Sequence, residues 1–315
     1  PGWPDHRSRS SAGEQPADIA GATTPQGSQA AGSTVVPGET RSDKQQVPRI
    51  VPKGLRSFDE HDADFFLELL PGARDRDGLP ESIRFWKLRI EQTDPDKTFR
   101  VGLIYGPSGC GKSSLVKAGL LPRLASHVVP VYLEAAPEDT ELRLLKGLRR
   151  RFSTIPDELA LPDVLAGIRE GSWVPENTKV CVVLDQFEQW LHARRGEQDT
   201  QLVHALHYCD GARLQCIVLV RDDFWMPVSE FLRELEVRNL EGHNAASVSL
   251  FDELHTRKVL SEFGKAYRCL QEDFGQLTPA EHAFLDAAVT GLAQDGKIIC
   301  VRLALFADML KGKPW

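Results

Sequence analysis

Apolar residues along this chain follow two spacings, and the alternation between them sets the expected architecture. Unbroken apolar runs at 101–105, 127–133, 179–184 and 214–220 read as strands buried on both faces of a sheet, and 246–250 supplies a fifth. Between them the apolar positions recur every three or four residues. Ile83, Trp86, Leu88 and Ile90 predict a helix over 81–91. Leu142, Leu144, Leu145 and Leu148 predict another that ends in Arg149, Arg150 and Arg151, and a third fits 157–170. The arginine triplet reads as a solvated helix end, favoured there by the helix dipole. Strands that alternate with helices predict an α/β domain with a parallel sheet.

Beyond residue 251 only helical spacing remains. One helix fits 252–265. A second opens at Thr278-Pro279-Ala280-Glu281, a capping box with proline in the first turn. The last carries Ile299, Leu303, Phe306 and Leu310 on one face and stops at Gly312, and that face is expected to need a partner beyond Trp315. Residues 1–48 are different. Rich in Pro, Gly, Ser, Thr and Gln and without periodicity, they cannot bury enough apolar surface to offset their ordering entropy, and they read as a disordered low-complexity linker.

Composition narrows the class. With 41% hydrophobic and 26% charged residues the chain matches an ordinary soluble protein, and a net charge of −7 argues against nucleic acid as a partner. No apolar run approaches the roughly 18 residues of a membrane span. The six cysteines form no C-x-x-C pair, which in a chain of this length reads as core thiols in a reducing compartment, the cytoplasm.

The chemistry concentrates at Gly106-Pro107-Ser108-Gly109-Cys110-Gly111-Lys112-Ser113-Ser114, which fits G-x-x-x-x-G-K-[ST] between a strand and a helix. Gly106, Gly109 and Gly111 permit the backbone angles that turn several N–H groups inward as an anion nest, and the new helix adds its positive end. Lys112 supplies a point charge for the β- and γ-phosphates, and Ser113 a hydroxyl for Mg²⁺. The apolar run at 179–184 delivers Asp185 to the same sheet edge, the Walker B arrangement, where it can hold Mg²⁺ opposite Ser113. Glu188 is the nearest group able to activate water; the alternative is a surface glutamate on a first helical turn. Arg221, closing the run at 214–220, is placed to sense the γ-phosphate; the alternative is a salt bridge to Asp222 or Asp223. Cys110, in the loop beside a helix N-terminus, is expected to have a lowered thiol pKa and raised reactivity.

The order of these motifs resembles the ASCE division of P-loop NTPases, and in detail the STAND class of signal-transduction ATPases, in its bacterial "novel STAND" group. The resemblance rests on Gly54-Leu55-Arg56-Ser57-Phe58, on 106–114, on Val182-Val183-Leu184-Asp185-Gln186-Phe187-Glu188 and on Val220-Arg221-Asp222-Asp223-Phe224, and it covers 54–315. It implies an ATP-dependent switch in which a helical lid closes over ADP and exchange to ATP releases an oligomerising state. It also implies fusion to protein kinase, WD-repeat or TPR modules outside this sequence. Members often carry a Gly-Arg-x-x-Glu element that reads the base; Gly72-Ala73-Arg74-Asp75-Arg76-Asp77 resembles it only loosely.

The resulting expectation is a three-layer P-loop NTPase sandwich of about five parallel strands followed by a partial helical lid. Its parts are a linker at 1–48, a nucleotide-binding domain at 49–251 and a lid at 252–315. The function expected is a slow Mg²⁺-dependent ATPase switch that binds ATP and ADP and assembles as an ATP-dependent homo-oligomer. A P-loop kinase acting on a small acceptor and a non-hydrolysing scaffold stabilised by nucleotide are the alternatives. A GTPase is disfavoured because the chain has no Asn-Lys-x-Asp.

Overall fold

A computed structural model describes residues 57–270, 277–313 and 315. The linker expected at 1–48 and Gly54, Leu55 and Arg56 of the resemblance lie outside the described residues. Those described all belong to one unit, Gln46–Trp315.

The chain enters through α1 (Ala63–Leu69) and α2 (Glu81–Glu91), then β1 (Val101–Gly106), a single α-turn α3 (Lys112–Ser114) continued as a π-helix over Leu115–Leu120, and β2 (Val128–Glu134). Next come α4 (Thr140–Arg151), α5 (Leu161–Glu170), β3 (Lys179–Asp185), α6 (Glu188–Ala193), α7 (Gln201–Leu206) and β4 (Leu214–Arg221). Helix α8 (Trp225–Glu234), β5 (Ala245–Ser247), β6 (Phe251–Asp252), α9 (Glu253–Ala266), α10 (Pro279–Leu292), β7 (Lys297–Ile298) and α11 (Cys300–Met309) complete it.

Five strands form one sheet in the order β2-β3-β4-β1-β5, and every neighbouring pair is parallel. Strand β4, which follows β3 in sequence, therefore inserts between it and β1. Alternation along the strands then builds two cores. Val180, Val182, Leu184, Cys216, Val218 and Val220 face one side with residues of α4, α5, α7 and α8. Cys181, Val183, Ile217 and Leu219 face the other with residues of α1, α2, the π-helix and α9–α11. This is the three-layer α/β sandwich the spacing implied.

One boundary departs from expectation for an identifiable reason. The third predicted helix starts at Leu161, not 157, because the Arg149 guanidinium takes the carbonyls of Pro156, Asp157 and Leu159 at 3.0, 2.6 and 2.9 Å and fixes that segment as a loop. The same contacts correct the solvated reading for Arg149, while Arg150 and Arg151 are exposed as expected. The face of α11 expected to need a partner is partly covered within the chain: Leu303 is fully buried and Phe306 stacks on Phe284 of α10, while Ile299, Phe306 and Leu310 remain partly exposed. At Thr278 both halves of the capping box form, as the sequence predicts.

Candidate functional site

Sheet register assembles the site. Parallel pairing sets Gly106 beside Arg221 and Asp185 beside Glu134, so the carboxyl ends of β1, β4, β3 and β2 open onto one cavity. In open α/β sheets this edge is where ligands bind. The wall facing it comes from Ser57 and Phe58, from Ser247 and Val248 at the end of β5, and from Ile299–Leu305 around the start of α11.

The loop after β1 turns on Gly106, Gly109 and Gly111, at φ +155°, +75° and +99°. Ser108, Gly109, Cys110, Gly111, Lys112, Ser113 and Ser114 line the cavity; Gly106 and Pro107 lie beneath it and instead offer their carbonyls to the Lys112 ammonium at 2.7 and 3.0 Å. Ser114 turns inward: it is buried, and its Oγ accepts the Phe58 N–H at 3.1 Å, tying the entering chain to the phosphate loop. The Cys110 expectation is corrected. Its side chain is buried, and burial pushes the thiol up rather than down, outweighing the neighbouring Lys112 charge. The start of α11 docks on the backbone here: the Cys300 Sγ donates to the Cys110 carbonyl at 3.3 Å, and the Val301 N–H to the Gly109 carbonyl at 3.3 Å.

Asp185 ends β3, buried, with Oδ1 accepting the Gln186 N–H at 2.8 Å and Oδ2 accepting the Tyr132 hydroxyl from β2. Gln186 then takes φ +53°, which drives Phe187 into the core, where it stacks on Trp190 at 5.1 Å and its N–H reaches the Leu219 carbonyl at 3.0 Å. The next residue, Glu188, turns back into the cavity as the first residue of α6. It is 8% exposed, and its Oε2 has no hydrogen-bond partner among the described residues. Burial holds its carboxyl above the ordinary range, with the Lys112 charge opposing. The two residues between Asp185 and Glu188 are thus a turn and an anchor, and both carboxylates reach the same cavity.

Arg221 lies on the cavity wall, and its guanidinium pairs with Asp223 at 2.6 Å, the bland alternative of the two readings. Arg74 of the loosely matching base element does not face the cavity: it donates to the Leu67 and Leu70 carbonyls and so caps the end of α1. Sequence reasoning passed over Tyr132, Lys117 and Arg302. Tyr132 had a signal, a polar-tipped aromatic two residues from a strand end. Arg302 faces the cavity from α11, which periodicity alone could not have placed.

The residues present fit a magnesium nucleotide. Ser113 and Asp185 form a hard oxygen donor set of the type Mg²⁺ prefers, and the orphaned, buried Oε2 of Glu188 is a polar atom awaiting a partner.

Comparison with known proteins agrees with the fold. The family described as novel STAND NTPase 1 matches residues 53–263, more than half of the chain. Among solved structures the chain is similar to the Walker-type ATPase PABY2304 of Pyrococcus abyssi, with a TM-score of 0.51 and 18% identity over 78% of this chain and 71% of that one. It is also similar to a chain of the Drosophila ORC bound to DNA, with a TM-score of 0.50 and 17% identity over 72% of this chain and 58% of that one. No curated protein matches it.

Proposed function

The chain belongs to the novel STAND NTPases, and on that premise we propose that it is a slow, Mg²⁺-dependent ATPase whose nucleotide state sets a signalling switch. Residues 106–114 bind the phosphates, and the Lys112 ammonium leaves the Gly106 and Pro107 carbonyls for the β- and γ-phosphates. Ser113 and Asp185 hold Mg²⁺, which when bound neutralises charge on the phosphate oxygens. Glu188 orients a water and accepts its proton as that water attacks the γ-phosphorus; the bond to the β–γ bridging oxygen breaks and ADP leaves with phosphate. Arg221 leaves Asp223 to meet the γ-phosphate, an exchange between two anions for which its half-exposed guanidinium is free to move.

Residues 252–315 act as the lid. Support comes from the two hydrogen bonds that Cys300 and Val301, at the start of α11, donate to the carbonyls of Cys110 and Gly109, a direct link between this segment and the glycine loop. A nucleotide that binds one lid position better than the other shifts the equilibrium by that difference in affinity, and this is all a switch requires. Fused kinase or repeat modules and ATP-dependent self-assembly would read out the lid position.

The observation that carries the ATPase reading is the unpartnered Oε2 of Glu188, buried in the same cavity as Lys112 and Asp185. Glu188→Gln keeps size and removes the base. It should abolish phosphate release while ATP still binds, measured by single-turnover hydrolysis beside a binding titration. Hydrolysis at the wild-type rate in Glu188→Gln would mean that another group activates the water.

A further inference from the structure

Tyr132 is the residue in the site whose placement the phosphate-loop chemistry leaves unexplained. It lies on edge strand β2, in register with Val183, two residues short of the Glu134–Asp185 pair. From there its hydroxyl reaches forward and donates to Oδ2 of Asp185. It does not itself line the cavity; it stands behind the carboxylate that does. With the Gln186 N–H on Oδ1 at 2.8 Å, both oxygens of this buried carboxylate are engaged by the protein, and the carboxyl plane cannot rotate without breaking one of the two bonds.

The phenol is held in its turn. Lys117, one helical turn beyond Ser113, sets its ammonium 4.7 Å from the centre of the Tyr132 ring. That ammonium is fixed by Glu134 at 3.0 Å and by the Ser57 hydroxyl at 3.2 Å. Ser57 precedes Phe58, whose N–H donates to Ser114 of the phosphate loop at 3.1 Å. A chain of contacts therefore runs from Ser114 of the loop through the entering chain, Lys117 and Tyr132 to Asp185. One end is Asp185 and the other is Ser114, the neighbour of Ser113, so both members of the metal-holding pair are tied to it.

We propose that Tyr132 is the positioning residue of the metal site, setting the orientation of Asp185 against Ser113 before a cation arrives. The proposal rests on the Mg²⁺-nucleotide reading given above. Hydrogen-bond partners of ligating carboxylates fix ligand orientation, and their loss costs about 10–100-fold in metal affinity. Tyr132→Phe keeps the ring and its contact with Lys117 and deletes only the hydroxyl. Asp185 would then keep one donor and gain a rotation, so the cost falls on the metal and not on the nucleotide itself.

The test is a titration with N-methylanthraniloyl-ATP at a series of Mg²⁺ concentrations, and again in EDTA, on wild type and Tyr132→Phe. The expected result is a Mg²⁺ midpoint raised about tenfold in the variant, with nucleotide affinity in EDTA changed less than about twofold. In wild type, adding Mg²⁺ with the nucleotide should also perturb the near-ultraviolet tyrosine spectrum, and Tyr132→Phe should lose that perturbation. An unchanged or lowered Mg²⁺ midpoint in the variant overturns the proposal, and so does an equal loss with and without Mg²⁺, which is what a merely structural tyrosine would give. If Tyr132→Phe does not fold, Lys117→Met carries the test: it leaves the hydroxyl and removes the cation on the ring, and should raise the midpoint about threefold. Failure of the underlying reading looks different, since wild type would then bind no nucleotide at saturating Mg²⁺.

Discussion

Alanine at Gly106 is the substitution whose cost the structure defines most sharply. Gly106 is at φ +155°, and a Cβ there would lie 2.1 Å from the Val248 carbonyl oxygen and 3.2 Å from Cys110 Sγ. The obstructing oxygen belongs to backbone and cannot swing aside. Its residue is also tied down, since the Val248 N–H donates to the Tyr105 carbonyl at 2.7 Å and continues the pairing of β5 with β1. Gly111→Ala is the matched control. There φ is +99°, yet nothing lies within 4 Å of an added Cβ. Both variants carry backbone strain of about 1–3 kcal/mol, but only Gly106→Ala adds an overpacking cost of about 1–3 kcal/mol. For a domain of this size each kcal/mol is worth about 2–4 °C in Tm, so Gly106→Ala should melt about 5 °C below Gly111→Ala. Thermal unfolding followed by circular dichroism on both variants measures the difference. Equal melting points, or a lower one for Gly111→Ala, would refute the close approach of β5 to the phosphate loop.

Two further outcomes follow from the site. Because burial holds the Glu188 carboxyl above the ordinary range, its base form is lost as pH falls through a value higher than that of an exposed carboxylate. Turnover should rise with pH through that raised value, and single-turnover rates across pH that fall only in the ordinary carboxylate range contradict the burial; the ionised form is also the costlier one to keep folded, so this group destabilises less as pH falls. Cys110, buried and with its thiol pushed up, should alkylate more slowly in the native protein than the half-exposed Cys269, with or without nucleotide. Mass spectrometry after brief iodoacetamide treatment that finds Cys110 labelled first would contradict its burial.

The parts of this molecule that local physics dictates were legible in its sequence. Buried strands write themselves as unbroken apolar runs, and a phosphate loop needs its glycines at fixed offsets, so β1, β3 and β4, Lys112 and Asp185 could be located before any coordinates. Thr278 and Glu281 likewise encode a helix start within four residues. What was not legible depends on contacts distant in sequence. The docking of α11 on the loop around Cys110 joins residues 190 apart, Cys300 to the Cys110 carbonyl. Tyr132 meets Asp185 only because β2 and β3 pair in parallel, across 53 residues. Arg149 looked like a solvated charge because nothing in its own helix announces the three carbonyls it gathers. The direction of Glu188 was equally hidden: it depends on Gln186 adopting a positive φ that glutamine seldom takes, and on Phe187 finding Trp190 and Phe231 in the core.

Nucleotide capture by the loop at 106–114, with Lys112 as its charge, is the claim on which the rest depends. Calorimetric titration of Mg-ATP into wild type and Lys112→Ala tests it directly. One contact to a charged group is worth about 1.5–3 kcal/mol, so saturable binding by wild type should weaken by about tenfold or more in the variant. Equal affinity in the two proteins, or no binding by wild type, would contradict the account.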